Sequence, residues 1–368
     1  MKKLLICALT MYTATLAAQP MGKGTLPPVF PKDVADKTQF DTRTRAYISP
    51  VRVVWTQNGD LISGAENLLL QGNGQATTAN TPKTVFTSKE GKRPSILLDF
   101  GREIHGGLQF VTCIRASTKP VKVRVRLGES TGEAMCNITE ENGATNDHAM
   151  RDYTIELPWL GVCEVGNSGF RFVRIDMLED DVELPIKEIR ASLLYRDVPY
   201  LGSFRSSDPR VDSIWMTGAY TLHLNLQEFL VEAPKRDRLV WLGDLHPEVR
   251  TALAVFGDNE ALARGLDFAR DETPLPGWMN GMCSYSLWWV LIHRDYYKYR
   301  GDMDYLREQQ AYLSELLRIL MSKVDAEGHE HLDGGGRFLD WPTSEDQKAI
   351  DAGLHALMLM TFEAGAEM

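Results

Sequence analysis

Two hydrophobic periods follow one another along the chain. Between residues 51 and 195, short apolar or alternating runs are separated by turn residues. In the run from Val121 to Leu127, the apolar residues alternate with Lys122, Arg124 and Arg126, which predicts a strand with one apolar and one solvated face. The spacing predicts an antiparallel β-sandwich. The runs are VRVVW, SILLDFG, GLQFVTCIR, VKVRVRLG, DYTIEL, FRFVRIDML and EIRASLLY.

After residue 202 the apolar positions recur at helical spacing. Asp208 can cap a first helix that has Pro209 in its first turn and an apolar stripe reaching Phe229. Loops rich in Trp, Pro, Gly and charge separate the helices, and such loops commonly carry function. Stacked helical hairpins predict either a solenoid or a closed α/α toroid. The sequence shows no fixed repeat, which weighs against a solenoid. The further predicted helices are Pro247 to Gly257, one from Asp258, Tyr285 to Tyr299, one from Asp302 and one from about Asp346.

The N-terminal residues have the layout of a secretory signal peptide. Lys2 and Lys3 precede an apolar run from Leu4 to Leu16, and small residues follow up to Ala18. We therefore expect cleavage near Ala18 and a periplasmic or secreted protein. No other stretch approaches the roughly 20 apolar residues of a membrane span.

Composition and charge narrow the class of protein. The 368 residues are 43% apolar and 24% charged, which suits a folded protein of about two domains. The formal charge of −10 argues against nucleic acid or an anionic membrane as a partner, and the oligomeric state stays open. The predicted parts are a signal peptide (1–18), an N-terminal lead (19–50), a β-sandwich domain (51–200) and a helical domain (201–368).

Four cysteines remain after the predicted cleavage. An oxidising compartment permits a disulfide among them, although a domain of this size does not need one. Small buried thiols are the common alternative. They are Cys113, Cys136, Cys163 and Cys283.

The densest polar stretch lies at residues 228–248. It holds five acids, three bases and a histidine, and these are costly to bury unless they pair or bind a ligand. A solvated, salt-bridged loop is one interpretation. Pro234 and Trp241 favour the other, a sugar site in which an indole face packs on a pyranose ring and acids hold its hydroxyls.

Several ordered motifs resemble the α-L-rhamnosidases of glycoside hydrolase family 78. The segment GSFRSSDPRVDSIWMTGAYTLHLNLQEFLVEAPKRDRLVWLGD is similar to the entry of the family's catalytic domain. The runs LLDFGREIHGGLQF and LGESTGE resemble the preceding β-sandwich, and WMNGMCSYSLWWVLIHRDYYKYRGD and FLDWP resemble later barrel segments. The resemblance extends from about Val51 to the end of the sequence.

The resemblance implies a fold and a reaction. The fold is an antiparallel β-sandwich followed by the first half of a six-hairpin (α/α) barrel. The reaction is inverting hydrolysis without a cofactor or metal, in which one carboxylic acid protonates the leaving oxygen and a second carboxylate activates water. The implied substrates are oligosaccharides or glycosides, and the implied product is terminal rhamnose from plant or microbial glycans.

The resemblance also implies site residues. The family acid is usually the Glu of an R-D-E-R-x-x-W stretch, whereas this sequence is one residue shorter between Arg236 and Trp241. Counting back from Trp241, Asp237 occupies the position of the acid, as in members with K-R-D-R. The implied sugar-binding residues are Glu232, Arg236, Trp241, Asp244, Trp278, Asp340 and Trp341.

A general acid needs a raised pKa, which its arginine neighbours would lower. Arg236 and Arg238 flank Asp237 in the sequence. We expect Glu232 and Asp244 to offset them, since a nearby second carboxylate disfavours ionising both.

About six helices are predicted where a closed barrel has twelve. The family's general base is a downstream Glu that would lie beyond Met368, so we expect this chain alone to be inactive, with Glu345 as the only tempting substitute. Two other functions stay open: a non-catalytic carbohydrate-binding remnant, and another α/α-barrel glycosidase of the α-fucosidase-like or uronyl hydrolase kind.

Two further clusters have plainer interpretations. The polar residues around His329, Glu330, His331 and Asp333 could ligate a metal, but their position in one loop favours a solvated turn. Trp288 and Trp289 lie in an apolar helix, which favours packing.

Overall fold

A computed structural model describes residues 24–138, 146 and 150–368. The predicted signal peptide lies outside these residues. The chain has two compact units, Met1–Arg43 and Thr44–Met368. In the first, the described residues form one short helix, α1 (Lys32–Ala35).

The β-rich part of the second unit is a single antiparallel sheet. Its path is β3-β4-β9-β5-β8-β6-β7, with β1 added to β9 and β2 added to β5. The strands are β1 (Thr44–Ile48), β2 (Arg52–Gln57), β3 (Ile62–Ser63), β4 (Thr84–Thr87), β5 (Ser95–Thr112), β6 (Val121–Gly128), β7 (Asp152–Leu157), β8 (Gly161–Met177) and β9 (Glu183–Tyr195).

Strand β5 joins two runs that the sequence presents separately. Residues 95–99 pair with β2 and β8, whereas residues 104–112 pair with β8 and β9. The register shifts between these halves, where Gly101 has a φ of 81° that suits glycine. One long strand therefore changes partners along its length and folds the sheet over a shared core.

The core of the sheet confirms the predicted alternation except at one position. Val121, Val123 and Val125 are fully buried, and Lys122 on the opposite face is exposed. Arg126, predicted on the solvated face, is instead buried at 3% exposure and donates from Nη2 to Asp176 Oδ2 over 2.7 Å. The prediction was wrong there because a paired carboxylate on β8 offsets the cost of burying the guanidinium.

Helices occupy the rest of the second unit. A short helix, α2 (Thr131–Met135), follows β6, and the remaining helices follow β9. No helix among the described residues combines the length and hydropathy needed to cross a membrane. The later helices are α3 (Pro209–Asn225), α4 (Leu242–Val255), α5 (Glu260–Asp271), α6 (Cys283–Arg300), α7 (Met303–Met321) and α8 (Gln347–Glu367).

The cap predicted at Asp208 and the helix starts predicted at Asp302 and Asp346 are confirmed. Asp208 accepts from the amide of Arg210 over 2.9 Å. Asp302 and Asp346 likewise accept from amides in the first turns of α7 and α8. Helix α4 begins at Leu242, five residues before the predicted start at Pro247, so the proline lies inside the helix. Helix α3 ends at Asn225 rather than Phe229.

The helices share a second core. Trp289 on α6 is fully buried and donates from Nε1 to the carbonyl of Leu266 over 3.1 Å, which confirms the packing role predicted for it. Trp288 is partly buried and stacks on His246 with 4.9 Å between the ring centroids.

The connection between sheet and helices is held by buried polar contacts. Arg196, just after β9, donates from Nη1 to Glu260 Oε1 over 3.0 Å and from Nη2 to the carbonyl of Glu228 over 3.1 Å. The hydroxyl of Tyr220 on α3 donates to the carbonyl of Glu103 on β5 over 2.6 Å. The sheet therefore contacts both α3 and the loop that follows it.

Candidate active site

The loop between α3 and α4 carries the predicted acid. We call residues 232–239 the acid loop. It is closed by a hydrogen bond from the amide of Glu232 to the carbonyl of Leu239 over 2.9 Å. Ala233 and Arg238 have φ values of 54° and 52°, which turn the chain sharply on each side of Asp237. Since α4 begins at Leu242, the loop places Asp237 directly before the first turn of a helix.

Asp237 is held by its neighbours on both carboxylate oxygens. Trp241 donates from Nε1 to Oδ2 over 3.3 Å, and Arg236 donates from Nε to Oδ1 over 3.1 Å. Arg238 instead donates from Nη1 to the carbonyl of Asn167 over 2.7 Å. Arg236 therefore bonds to the predicted acid, whose side chain is 12% exposed.

Two further carboxylates lie in the electrostatic field of Asp237. Burial raises the pKa of Glu232, and the charges of Asp244 and Asp237 add to the effect. Burial also raises the pKa of Asp244, with a smaller contribution from Asp237, while a hydrogen bond from Tyr285 opposes the shift. The structure thus brings together Glu232, Asp237 and Asp244, the three acids that the sequence proposed as a cluster.

Glu248 is a further member of this group, and no role was predicted for it from the sequence. It lies one turn after Asp244 on α4, and its Oε1 accepts from Asn225 Nδ2 over 3.1 Å. Its Oε2 is buried and has no hydrogen-bond partner within the described chain. Burial, opposed by Asn225 and reinforced by Asp244 and Glu232, raises the pKa of Glu248 to about 8. The spacing of four residues on one helix was the signal that could have identified it.

An aromatic row extends from the acid loop. Trp241 contacts Tyr285 edge to face with 6.2 Å between ring centroids, and Tyr285 contacts Phe338 at 6.4 Å. Phe338 in turn contacts Trp341 at 5.1 Å. We call these four residues the aromatic row. It connects the starts of α4 and α6 with the loop before α8, and it ends at the 81% exposed Trp341.

Asp340 and Trp278 are positioned differently from the acids. Asp340 accepts at Oδ1 from the amide and the hydroxyl of Thr343, over 2.9 and 2.6 Å, and so stabilises the turn beside Trp341. Trp278 is buried and donates from Nε1 to the carbonyl of Asp333 over 2.7 Å. The backbone of Gly335 packs so closely on its indole that an added Cβ would lie 2.4 Å from Cδ1. The sugar-binding roles of both residues stay predictions.

Asn280 is a second residue that the sequence did not reveal. Its Oδ1 accepts from the amide of Leu242 and its Nδ2 donates to the carbonyl of Val240, both over 3.1 Å. Its φ of 52° lies in the left-handed region, which Asn tolerates. This side chain fixes the exit of the acid loop, and a lone Asn in a loop gives no sequence signal of that role.

The polar residues before α8 form ion pairs. Glu330 is bonded to Arg337 over 2.6 Å, and His331 is bonded to Asp325 over 2.7 Å. Asp333 pairs with Lys323. Within the described part of the chain, no group of three His, Cys, Asp or Glu side chains has a geometry that could hold a metal ion. Glu345, the substitute considered for the base, is exposed in the turn after Trp341.

A cavity of about 910 Å³ lies between the sheet and α3, and Pro234 of the acid loop also lines it. None of the predicted site residues lines it. Glu103 on β5 does, and burial raises the pKa of its carboxyl to about 8.

Comparison with known proteins places the helical region in a family. Residues 199–358 match the bacterial alpha-L-rhamnosidase 6 hairpin glycosidase domain. No curated protein matches the sequence. The resemblance to α-L-rhamnosidases is thereby confirmed for the helical region, and the solved structures confirm a fold that combines an antiparallel sheet with part of a helical barrel.

Solved structures of rhamnosidases share the fold. The family 78 rhamnosidase of Bacillus sp. GL1 is 20% identical, with a TM-score of 0.60, and the match covers 82% of this chain and 32% of that one. The rhamnosidase from Klebsiella oxytoca with rhamnose bound is 16% identical, with a TM-score of 0.63 and coverages of 88% and 70%. The enzyme from Aspergillus terreus is 20% identical, with a TM-score of 0.52 and coverages of 80% and 35%. This chain spans about a third of the Bacillus and Aspergillus proteins.

Proposed function

Because residues 199–358 carry the six-hairpin glycosidase domain of bacterial α-L-rhamnosidases, we propose that the protein takes part in hydrolysing terminal α-L-rhamnosides. The proposed mechanism is inverting and uses no cofactor. The order of charge, apolar run and small residues at the N-terminus supports the accompanying proposal that the mature protein is periplasmic or secreted.

The observation that carries the proposal is the carboxylate cluster beside the aromatic row. A sugar presents hydroxyls to acids and C–H faces to aromatic rings, and this surface offers carboxylates on one side of Trp241 and aromatic rings through Tyr285 on the other. A general acid needs a raised pKa so that it holds its proton. Burial and neighbouring negative charge raise the pKa values of Glu232 and Asp244 in this cluster.

Asp237 is the proposed general acid. In this role it donates a proton to the glycosidic oxygen as the bond to the anomeric carbon breaks. The bond from Trp241 orients the carboxyl, and Arg236 binds the same group from the other side. We propose that Glu232, Arg236 and Asp244 hold sugar hydroxyls, and that Trp241, Trp278, Asp340 and Trp341 shape the pocket.

An inverting reaction also needs a carboxylate base roughly 6.5–9.5 Å from the acid. Glu232 and Asp244 act on the sugar hydroxyls in this proposal, so neither is assigned as the base. The acid to test is Glu345, which lies beside the end of the aromatic row. No carboxylate other than Glu345 is proposed as the base. We therefore expect slow turnover at best from this chain by itself, because an inverting reaction needs a base to activate water.

Two measurements test the proposal. Calorimetric titration of residues 19–368 with L-rhamnose should show binding that Asp237→Asn preserves and Trp241→Ala weakens. An aryl α-L-rhamnoside, an aryl α-L-fucoside and an unsaturated uronide should then be compared as substrates, with NMR of the first-formed anomer reporting inversion.

The outcomes separate the candidate functions. Turnover of the rhamnoside with inversion supports the proposal, and Glu345→Gln then tests the base. Faster hydrolysis of the fucoside or of the uronide would instead indicate an α-fucosidase-like or a uronyl hydrolase function. Rhamnose binding without any turnover would favour a carbohydrate-binding role. No binding of L-rhamnose together with no turnover of any of the three substrates would contradict the proposal.

A further inference from the structure

The acid loop has few internal contacts to fix its position. Its described backbone hydrogen bonds are the closing bond between Glu232 and Leu239 and a turn bond from the amide of Arg236 to the carbonyl of Ala233 over 3.2 Å. A loop of this kind can move as a unit unless other elements hold it. The orientation of Asp237 therefore depends on what the loop contacts.

Lys235 of the acid loop is bonded to two glutamates, one just after β6 and one on α2. Lys235 Nζ donates to Glu129 Oε2 over 2.7 Å and to Glu133 Oε1 over 3.2 Å. Glu129 follows the end of β6, and Glu133 lies on α2. The side chains of Lys235 and Glu133 are 23% and 20% exposed, whereas that of Glu129 is 44% exposed. The bond to Glu133 is therefore screened less by solvent and salt than the bond to Glu129.

Two other sheet residues bond to the acid loop on either side of Asp237. His105 Nδ1 lies 3.0 Å from the carbonyl of Pro234, and the carbonyl of Asn167 accepts from Arg238 as described above. Gly169 on β8 lets the loop approach closely, since an added Cβ there would lie 2.9 Å from Cβ of Lys235. The sheet thus contacts the loop immediately before and immediately after the proposed acid.

From this arrangement we propose that Lys235 is a positioning residue, clasped by Glu129 just after β6 and by Glu133 on α2, so that the acid loop holds Asp237 against Trp241. The inference rests on the proposed function only for the role of Asp237. The clasp itself is a property of the loop. It gives the sheet a part in the chemistry, because a misplacement of about 1 Å at a reacting group can cost about 100-fold in rate.

Hydrogen exchange measures the clasp without requiring activity. Lys235→Met removes the ammonium and keeps an unbranched apolar stem of similar reach. We expect the amides of Glu232 and Arg236 to exchange about fivefold to tenfold faster, because the loop loses two charge-assisted bonds. Amides in β6 and α4 should keep their wild-type rates, which would show that the variant is folded.

Two variants serve as controls. Lys122 on β6 pairs with Glu156 over 3.7 Å and does not belong to the clasp. Lys122→Met should therefore leave exchange in the acid loop unchanged. Lys235→Arg keeps the charge and two-carboxylate pairing, and it should restore slow exchange to within about twofold. A loop that exchanges at the wild-type rate in Lys235→Met would overturn the proposal.

Hydrolysis of an aryl α-L-rhamnoside gives the second readout. Lys235→Met should lower kcat at least tenfold with KM changed less than threefold, and Lys235→Arg should recover most of kcat. A change confined to KM would overturn the positioning role. If the wild-type chain neither binds L-rhamnose nor hydrolyses the rhamnoside, but exchange in the loop responds to Lys235→Met, the clasp stands and it is the proposed function that fails.

Discussion

Glu248 provides a test of the electrostatics around the acid loop through stability alone. Its carboxyl is buried between α3 and α4, with one oxygen bonded to Asn225 and the other without a described partner. Because burial holds its pKa at about 8, the folded protein keeps Glu248 protonated at neutral pH. In the unfolded chain the same carboxyl ionises near its ordinary pKa of 4.5.

The sign and size of the effect follow from this difference. Between pH 4.5 and 8 the folded state binds one more proton than the unfolded state, so the free energy of unfolding falls as the pH rises, by about 1.4 kcal/mol per unit. From pH 5 to pH 7 the loss attributable to Glu248 is therefore about 3 kcal/mol. Glu248→Gln is uncharged at every pH and keeps an oxygen acceptor for Asn225, so it should remove this loss.

Urea unfolding of the wild type and Glu248→Gln at pH 5, 6, 7 and 8 measures the effect. The two proteins should differ little at pH 5, and the variant should become progressively more stable than the wild type up to pH 8. Glu103 contributes a similar dependence to both proteins and cancels from the difference. An exposed glutamate on α7, Glu308, provides the control, since Glu308→Gln should leave the dependence unchanged. Parallel curves for the wild type and Glu248→Gln would refute the reasoning.

Four other predictions concern the acid, the aromatic row, the sheet core and export. Asp237→Asn should slow hydrolysis of rhamnosides with poor leaving groups far more than that of activated aryl rhamnosides, because a good leaving group hardly needs protonation; equal losses in kcat/KM would point to a binding or folding role. Trp341→Ala should weaken rhamnose binding by calorimetry with no change in Tm, since its side chain is exposed, and unchanged affinity would remove it from the site. Arg126→Met should lower the free energy of unfolding by about 2 kcal/mol, because the Asp176 carboxylate loses one of its two guanidinium partners and keeps only Arg174. A neutral or stabilising result in urea titration would show that the apolar replacement compensates. N-terminal sequencing of the exported protein should begin near residue 19, and a mature form that keeps Met1 would contradict the predicted signal peptide.

The sequence identified most of the candidate site, because its members lie within one short segment. Glu232, Asp237, Trp241 and Asp244 span 13 positions, and a loop followed by a helix start brings such residues together whatever the rest of the fold does. Glu248 was visible in the same segment. The sequence did not reveal the raised pKa of Glu248, because that pKa depends on burial against α3. Asn225 of α3, which bonds to Glu248, is 23 residues away in the sequence.

Local chemistry is what the sequence by itself determined. The change from period two to period 3.6 and the caps at Asp208, Asp302 and Asp346 follow from interactions among near neighbours. These signals do not depend on which elements later pack together.

Pairing between distant segments was decided only by the tertiary structure. Arg126 is buried because β8 supplies Asp176, and Lys235 is clasped because β6 and α2 place two glutamates beside the acid loop. Trp278 and Trp341 have similar sequence surroundings, yet one is buried beneath a glycine loop and the other is exposed. Burial and charge pairing are set by residues 50 to 100 positions apart, whose approach no local pattern records.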